Sequence, residues 1–246
     1  MSQALFSTAS SATYYEKRLD ILANNLSNIN TAGYKQDKLI FRIPAQAGDS
    51  TEDSERRISL FSLPPQPTGT SVDFSQGDLK HTESPLDLAL DGNGFFVIQT
   101  PEGTQYTRKG SFALNQDGVL VTKEGHPVLG ESGTIKISGR NVTIDENGDI
   151  YADGSRAGSL KVVQILDLHN LRKVGNTSFA PTQGAAKEVK SQNAIVKQGF
   201  LETSNVNGVR AMTEMIDVMR GYESYQKVIQ FLDDVTRKSI TDVGKL

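Results

Sequence analysis

Residues 86–98 read LDLALDGNGFFVI, in which two apolar runs flank Asp91-Gly92-Asn93-Gly94. Asp-Gly and Asn-Gly between such runs are the strongest local signal of a β-hairpin, because these residues accept the positive φ of a tight turn. We therefore expect strands at 86–90 and 95–98, joined as a hairpin. The stretch predicts β-structure for the middle of the chain.

The same pattern continues towards the C-terminus. Further predicted strands and their turns are 111–115 and 119–121 around Asp117-Gly118, 142–144 and 150–151 around Asn147-Gly148, and 160–166. Short strands separated by turn residues are typical of antiparallel sheets. We predict an antiparallel β-domain over residues 76–185, followed by a polar return segment over 186–203.

The segment before this β-domain has a different composition. From Pro44 to Thr70 the chain is rich in Ser, Glu, Asp, Pro and Gly and contains Pro64-Pro65-Gln66-Pro67. Such a composition favours an extended linker. We predict a linker with short strands over residues 34–75, with the strands near 34–43 and 58–63.

The N-terminal segment, residues 1–33, is predicted to be helical. Ser2 is a suitable N-cap, no Gly or Pro interrupts the chain up to Asn28, and Asn and Gly residues end the helix before Tyr34. One face carries a row at steps of three and four, which is the repeat of a helix that packs along another helix. The row is Leu5, Thr8, Ala12, Tyr15, Leu19, Leu22, Leu26 and Ile29.

A second helix is predicted in the C-terminal segment, residues 204–246, beginning between Ser204 and Asn207. Its apolar row is Val209, Met212, Ile216, Met219, Tyr222, Tyr225, Ile229 and Leu232. The predicted fold is α+β, with the two terminal helices paired as a coiled-coil-like spine. The alternative is that both helices pack on the β-domain of their own chain.

Energetics favour a partner surface for the first helix. Burying its apolar side chains yields about 1.5–2 kcal/mol each, whereas ordering each helical residue costs about 1–2 kcal/mol. A lone helix is therefore marginal and needs a second apolar surface. A pair of helices still leaves apolar side chains for neighbouring molecules, which points to assembly.

The composition excludes several functional classes. With 26 basic and 29 acidic residues the net charge is −3, so no overall field favours nucleic acid or anionic lipid. The chain contains no Cys, which excludes disulfides and thiol nucleophiles. No apolar run approaches the roughly 20 residues of a membrane span, and the N-terminus does not have the pattern of a signal peptide.

The sequence offers no active site. His81, His126 and His169 lie far apart, and the acidic run at 145–149 does not have the ligand spacing of a calcium-binding loop. Gly92-Asn93-Gly94 is not a dinucleotide fingerprint. We predict no catalytic, cofactor or metal site and no enzymatic activity. A secreted β-sheet binding module and an enzyme are the alternative classes.

Several passages resemble one known family. Residues 24–35, NNLSNINTAGYK, and 198–207, QGFLETSNVN, are similar to the N-terminal and C-terminal motifs of bacterial flagellar rod and hook proteins. Residues 85–96, PLDLALDGNGFF, and 106–112, YTRKGSF, resemble their β-domain. The matched motif residues are Asn24, Asn25, Leu26, Asn28, Thr31, Gly33, Gln198, Gly199, Leu201, Glu202, Ser204, Asn205 and Val206.

The resemblance implies a structural subunit of the flagellar basal-body rod. Such a subunit leaves the cytosol through the flagellar export apparatus without signal-peptide cleavage. It joins other copies and other rod subunits through its terminal helices in a hollow, torque-transmitting rod within the periplasm. Gly125-His126-Pro127-Val128-Leu129-Gly130 and residues 211–216 look most like proximal-rod members, and a distal-rod member is the alternative.

Overall fold

The computed structural model describes residues 2–42, 66–182, 184, 186–191 and 193–243. The strand predicted at 58–63 lies outside these residues. The chain divides into two compact units. The first, the helical unit, contains Met1–Ser27, Asp37–Ser71 and Asn207–Leu246, and the second, the β unit, contains Asn28–Gln36 and Val72–Val206.

The helical unit contains helix α1 (Ser2–Ser27), strands β1 (Asp37–Arg42) and β2 (Gln66–Val72), and helix α2 (Gly208–Val243). The two strands form a two-stranded sheet. The Asn207 side chain caps α2 by accepting a hydrogen bond of 3.0 Å from the Arg210 amide. The helices contact each other where the rings of Tyr15 and Tyr225 lie 5.3 Å apart. A Cβ at Gly221 would lie 2.5 Å from the Tyr15 ring, so this close approach requires glycine.

The predicted α+β fold with a coiled-coil-like spine is wrong. Within the described residues the chain has nineteen strands and two α-helices, and is mostly β-structure. The predicted row of α2 does not form a seam, because its first four members face solvent. The exposed fractions of these side chains are 79% for Val209, 53% for Met212, 52% for Ile216 and 48% for Met219.

The geometry of a helix explains this error. From Ile216 to Tyr225 the predicted row advances in three steps of three residues. Each step turns about 60° short of a full circle, so the row moves about 180° around the helix. The row that is buried or half-buried instead advances by four and three residues: Ala211, Met215, Val218, Tyr222, Tyr225 and Ile229.

The β unit is built from short strands, all of whose described pairings with one another are antiparallel. The strands are β3 (Leu79–His81), β4 (Leu88–Asp91), β5 (Phe95–Thr100), β6 (Gly103–Thr107), β7 (Phe112–Leu114), β8 (Leu120–Thr122), β9 (Leu129–Gly130), β10 (Gly133–Thr134), β11 (Val142–Ile144), β12 (Asp149–Ala152), β13 (Ser155–Ser159), β14 (Val162–Ile165), β15 (Leu171–Val174), β16 (Ser178–Pro181), β17 (Glu188–Lys190), β18 (Ile195–Gln198) and β19 (Phe200–Glu202). A 3-10 helix at Leu168–Asn170 lies between β14 and β15.

The largest sheet has the strand order β15-β16-β6-β5-β14-β17. A three-stranded sheet has the order β11-β12-β13, and four two-stranded pairs are β9 with β10, β4 with β18, β3 with β19, and β7 with β8. The pairs β4–β18 and β3–β19 join residues from the two ends of this unit. The C-terminal return segment is therefore part of the β unit.

Two of the three predicted hairpins are confirmed. Strand β7 pairs with β8, and β11 pairs with β12. The prediction of a hairpin at 86–98 is wrong. Strand β4 pairs with β18, whereas β5 pairs with β6 and β14. The glycines of this stretch allow a long-range approach: Gly92 has a φ of 101°, and a Cβ there would lie 2.5 Å from the Asn193 carbonyl oxygen.

Strand β5 contributes to two hydrophobic cores because successive side chains point to opposite faces. Phe96 and Ile98 belong to a core that includes Leu88 and Ile150. Phe95 and Val97 belong to a second core that includes Tyr106 and Phe179. The uninterrupted apolar run at 95–98 reflects burial on both faces.

We expect Gly110→Ala to destabilise the β unit by about 1–3 kcal/mol, the usual range for overpacking. A Cβ at Gly110 would lie 1.6 Å from the Leu88 carbonyl oxygen, so the backbone must move and weaken the hydrogen bond of 2.9 Å from Leu88 N to Gly110 O. Urea unfolding followed by circular dichroism measures the loss. Gly158→Ala is the control, because a Cβ there meets only ordinary contacts at 3.6 Å. Equal unfolding midpoints for the two variants would contradict the expectation.

Candidate functional site

Residues 28–36 and 198–206 meet in the β unit. They contain the parts of the two family motifs that lie in this unit, and we name them the N-terminal and C-terminal motif segments. The Gly33 amide donates to the Glu202 carbonyl oxygen at 2.8 Å, and the Asn205 amide donates to the Tyr34 carbonyl oxygen at 3.4 Å. Gly33 has a φ of 70°, and a Cβ there would lie 2.4 Å from the backbone nitrogen of Lys109. Only glycine fits this position, since a side chain would clash with backbone.

A buried ion cluster lies where these segments meet. The Lys35 Nζ atom lies 2.5 Å from Glu202 Oε1, and the Arg108 Nη1 atom lies 3.2 Å from Glu202 Oε2. The exposed fractions of the three side chains are 0% for Lys35, 3% for Arg108 and 0% for Glu202. Because buried charges require partners, this cluster constrains where all three residues can lie.

Backbone groups complete the cluster. Lys35 Nζ donates to the Ser75 carbonyl oxygen at 2.6 Å, and the Gly77 amide donates to Glu202 Oε1 at 3.0 Å. Arg108 donates to the carbonyl oxygens of Leu90 at 3.3 Å and Gly92 at 2.7 Å. The cluster is therefore tied to several segments of the β unit.

Arg108 is held from more than one side. Its guanidinium lies 5.5 Å from the centre of the Phe95 ring. Its Nε atom is buried and has no hydrogen-bond partner among the described residues. Burial lowers the pKa of the Arg108 guanidinium and of the Lys35 ammonium, and the negative charge of Glu202 partly opposes this shift. Since the three side chains are enclosed, they cannot meet a substrate from solvent, and the cluster serves to hold the segments together.

Asn205 forms a second link between the segments. Its Oδ1 atom accepts a hydrogen bond of 2.8 Å from the Gln36 amide. Its Nδ2 atom lies within hydrogen-bond distance of the Asp73 carbonyl oxygen at 2.8 Å, the Ser75 carbonyl oxygen at 3.1 Å and the Ser75 Oγ atom at 3.1 Å. One amide side chain thus connects three stretches of the β unit.

Other residues of the family motifs hold local structure. In the helical unit, Asn25 and Asp37 exchange two hydrogen bonds of 2.9 Å between the Asn25 side chain and the Asp37 backbone. In the β unit, Asn28 Oδ1 accepts from Thr31 Oγ1 at 3.2 Å and from Asn176 Nδ2 at 3.1 Å. Gln198 donates to the carbonyl oxygens of Pro85 and Val142.

The remaining motif residues differ in exposure. Asn24 is exposed, Gly199, Ser204 and Val206 are buried, and Leu26, Thr31 and Leu201 are half-buried. Gly199 has a φ of 77°, which favours glycine. The functional roles of these residues remain predictions.

The predicted assembly residues also differ in exposure. On α1, Leu22 is buried, and Ala12, Tyr15, Leu19, Leu26 and the following Ile29 are half-buried. On α2, Tyr222 and Ile229 are half-buried, whereas Val209, Met212, Ile216 and Met219 are exposed. The side chains of Leu5 and Leu232 lie outside the described residues. We name the four exposed residues the apolar row of α2.

Sequence reasoning missed the ion cluster. Lys35, Arg108 and Glu202 all lie within passages that carry the family resemblance, but their pairing has no local signal. Lys35 and Glu202 are 167 positions apart, and Arg108 and Glu202 are 94 positions apart. It also missed Ala211, Met215 and Val218 on the inward face of α2.

His81 and the acidic run at 145–149, which the sequence also brought into question, make packing and turn contacts. The His81 ring lies 4.8 Å from the Phe200 ring. Asp145 Oδ1 accepts from the amides of Asn147 and Asp149, which closes a turn. The described residues contain no group of three or more His, Cys, Asp or Glu side chains that could hold a metal ion. Within the same ranges, neither helix is apolar enough over its length to cross a membrane.

Three family models match the sequence. Residues 8–35 match the flagella basal body rod protein family, and residues 89–152 match the D1 domain of the flagellar hook proteins FlgE/F/G. Residues 197–242 match the C-terminal family of the flagellar basal body rod FlgEFG proteins. The first match contains residues 28–35, and the last contains all of 198–206, so both motif segments that meet in the β unit lie almost entirely within matched regions.

Known proteins are similar over the whole chain. The flagellar basal-body rod protein FlgF of Caulobacter vibrioides is 33% identical over 249 residues, with all of both chains covered. The flagellar hook-basal body complex protein FlhO of Bacillus subtilis is 32% identical over 276 residues, again with all of both chains covered. The flagellar basal-body rod protein FlgG of Bacillus subtilis is 32% identical over 264 residues, with 98% of each chain covered.

We expect Asn205→Ala to destabilise the β unit by about 1–3 kcal/mol, because it leaves the Gln36 amide and the Asp73 carbonyl without this side-chain partner. Urea unfolding of the β unit measures the change. Thr203→Ala is the control in the same segment, since the Thr203 hydroxyl makes one long hydrogen bond of 3.5 Å. A variant at Asn205 that unfolds at the midpoint of the Thr203 variant would refute the link.

Proposed function

The chain belongs to the flagellar basal-body rod protein family, and on that premise we propose that it is a proximal-rod subunit that assembles through its terminal helices. It is a structural subunit of the flagellar rod and not an enzyme. Its neighbours in the rod are further copies of the chain and other rod proteins.

The observation on which the proposal of assembly chiefly depends is the apolar row of α2. Its four side chains are about half exposed or more, and they occupy successive turns on one side of the helix. Burying a fully exposed side chain of this size contributes about 1.5–3 kcal/mol. A contiguous exposed row of this kind marks an interaction surface, because scattered single apolar residues are ordinary but rows are not.

A second exposed row strengthens the argument. Val228, Phe231 and Val235 are exposed further along α2, with Phe231 66% exposed. With about 100° per residue, this row lies on the other side of the inward face from the apolar row. A helix that is apolar on several sides is a helix with several neighbours. Two different faces on one subunit permit a head-to-tail contact that continues as a filament instead of closing.

We propose that the chain passes through the flagellar export apparatus without cleavage and that its rod lies in the periplasm, where it carries torque as part of a hollow shaft. The predicted contact residues on α1 support retention of the N-terminus, because cleavage of this helix would remove them. Leu22 is already buried in the subunit, so it stabilises the subunit itself.

The proximal position is supported by the similarity to FlgF of Caulobacter vibrioides, which covers both chains completely. A distal-rod subunit is the second candidate, because FlgG of Bacillus subtilis has nearly the same identity over 98% of each chain. Both candidate functions use the apolar row of α2. They differ in the position that the subunit occupies in the rod.

We expect the double variant Met212→Asp, Ile216→Asp to remain folded but to be absent from rods. Both positions are exposed, so the free energy of unfolding should change by no more than about 1 kcal/mol for the pair. Two charges in the row would block its burial in a contact. Basal bodies purified from a strain that produces only the variant, probed for this subunit, provide the measurement.

Met212→Leu, Ile216→Leu is the control, because it changes the same two exposed positions but keeps both side chains apolar. This variant should be found in rods at the level of the unaltered chain. Normal rods containing the Asp double variant would refute the proposed surface. Loss of both variants would also refute it, because the effect would then not depend on the apolar character of the row.

If the chain is a proximal-rod subunit, only certain genes should complement its deletion. In the bacterium that carries it, deletion of its gene should be complemented by a proximal-rod gene of a related species and not by a distal-rod gene. Swimming in soft agar measures the repair. Repair by the distal-rod gene alone would replace the proximal assignment with the second candidate while leaving the rod function intact.

A further inference from the structure

We propose that Glu202 is an electrostatic latch that makes closure of the two motif segments onto the β unit a single event. The latch consists of Lys35, Arg108 and Glu202. It is a property of the single subunit and does not depend on the proposed place in the rod.

The charges of the latch are unequal in number. Two cations, Lys35 and Arg108, share the one carboxylate of Glu202, and all three side chains are almost completely enclosed. Loss of the Lys35 charge would leave a neutral pair of Arg108 and Glu202. Loss of the Glu202 charge would leave two buried cations without compensation, which is far more costly.

The three residues lie on different parts of the β unit. Arg108 follows β6 and is anchored by the carbonyl oxygens of Leu90 and Gly92. Lys35 belongs to the N-terminal motif segment and Glu202 to the C-terminal one. Glu202 is therefore the one residue of the latch that contacts both the anchored cation and the other segment.

Backbone pairing couples the same two segments. The bonds from Gly33 N to Glu202 O and from Gln36 N to Asn205 Oδ1 require both segments to be in place. Strand β19, which ends at Glu202, also pairs with β3. If the C-terminal segment leaves, Lys35 and Arg108 lose their counter-charge together. Burial of Lys35 in the N-terminal segment is then no longer compensated. Release of one segment thus causes release of the other.

Hydrogen exchange of the full chain, read by mass spectrometry, tests the latch. Glu202→Gln keeps the size of the side chain and removes its charge. We expect exchange in both 28–36 and 198–206 to accelerate together, on the order of 100-fold or more, which reflects the cost of uncompensated buried charge. Lys35→Met should accelerate exchange much less, because it leaves a balanced pair.

The double variant Lys35→Met, Glu202→Gln has one unpaired cation instead of two, so its exchange should be slower than that of Glu202→Gln. Glu124→Gln is the matched control, since it breaks the ion pair of Lys109 with Glu124, whose carboxylate side chain is 52% exposed. This control should leave both segments protected.

Three results would overturn the latch: acceleration in one segment alone, equal acceleration in Lys35→Met and Glu202→Gln, or unchanged exchange in Glu202→Gln. If Glu202→Gln does not fold, the comparison moves to urea unfolding of the double variant. A folded double variant then supports the latch, and a double variant that also fails to fold refutes it.

Discussion

The buried carboxylate of Glu202, held between Lys35 and Arg108, is the constraint on which the β unit depends. It is the point at which a residue near the start of the chain and a residue near its end share one enclosed charge cluster. Removing a partner from such a cluster is far more costly than removing a surface ion pair. The cluster therefore holds together the parts of both family motifs that lie in the β unit.

The helical unit leaves large apolar side chains of α2 exposed. Its helices meet through Tyr15, Gly221 and Tyr225, yet α2 carries apolar side chains on several sides. Within one subunit the apolar row and the row containing Phe231 gain little from folding, because water still reaches them. They gain from contact with other molecules. A stable β unit together with a helix that exposes apolar side chains suits a subunit whose final state is an assembly.

Turn residues in the sequence identified two hairpins whose strands are joined directly by the turn. The turns at Asp117-Gly118 and Asn147-Gly148 predicted two true hairpins, because each turn and its strands are adjacent in the chain. Gly92 gave the same signal but makes room for Asn193, a long-range contact that no local pattern reveals. The predicted row of α2 is wrong because apolar residues on two faces of the helix follow one another at a spacing that resembles a single row. The Lys35–Glu202 pair lay inside recognised motifs, but its 167-residue separation concealed the pairing.

The most direct test of this account compares hydrogen exchange in the free subunit and in purified rods. We expect equal protection of the β unit in both, since Glu202 completes that unit within each chain. In residues 209–219 of α2 we expect slower exchange in the rod than in the free subunit, because neighbours that cover the apolar row oppose local opening of the helix. Equal exchange rates for residues 209–219 in the free subunit and in the rod would contradict a role of the apolar row in assembly.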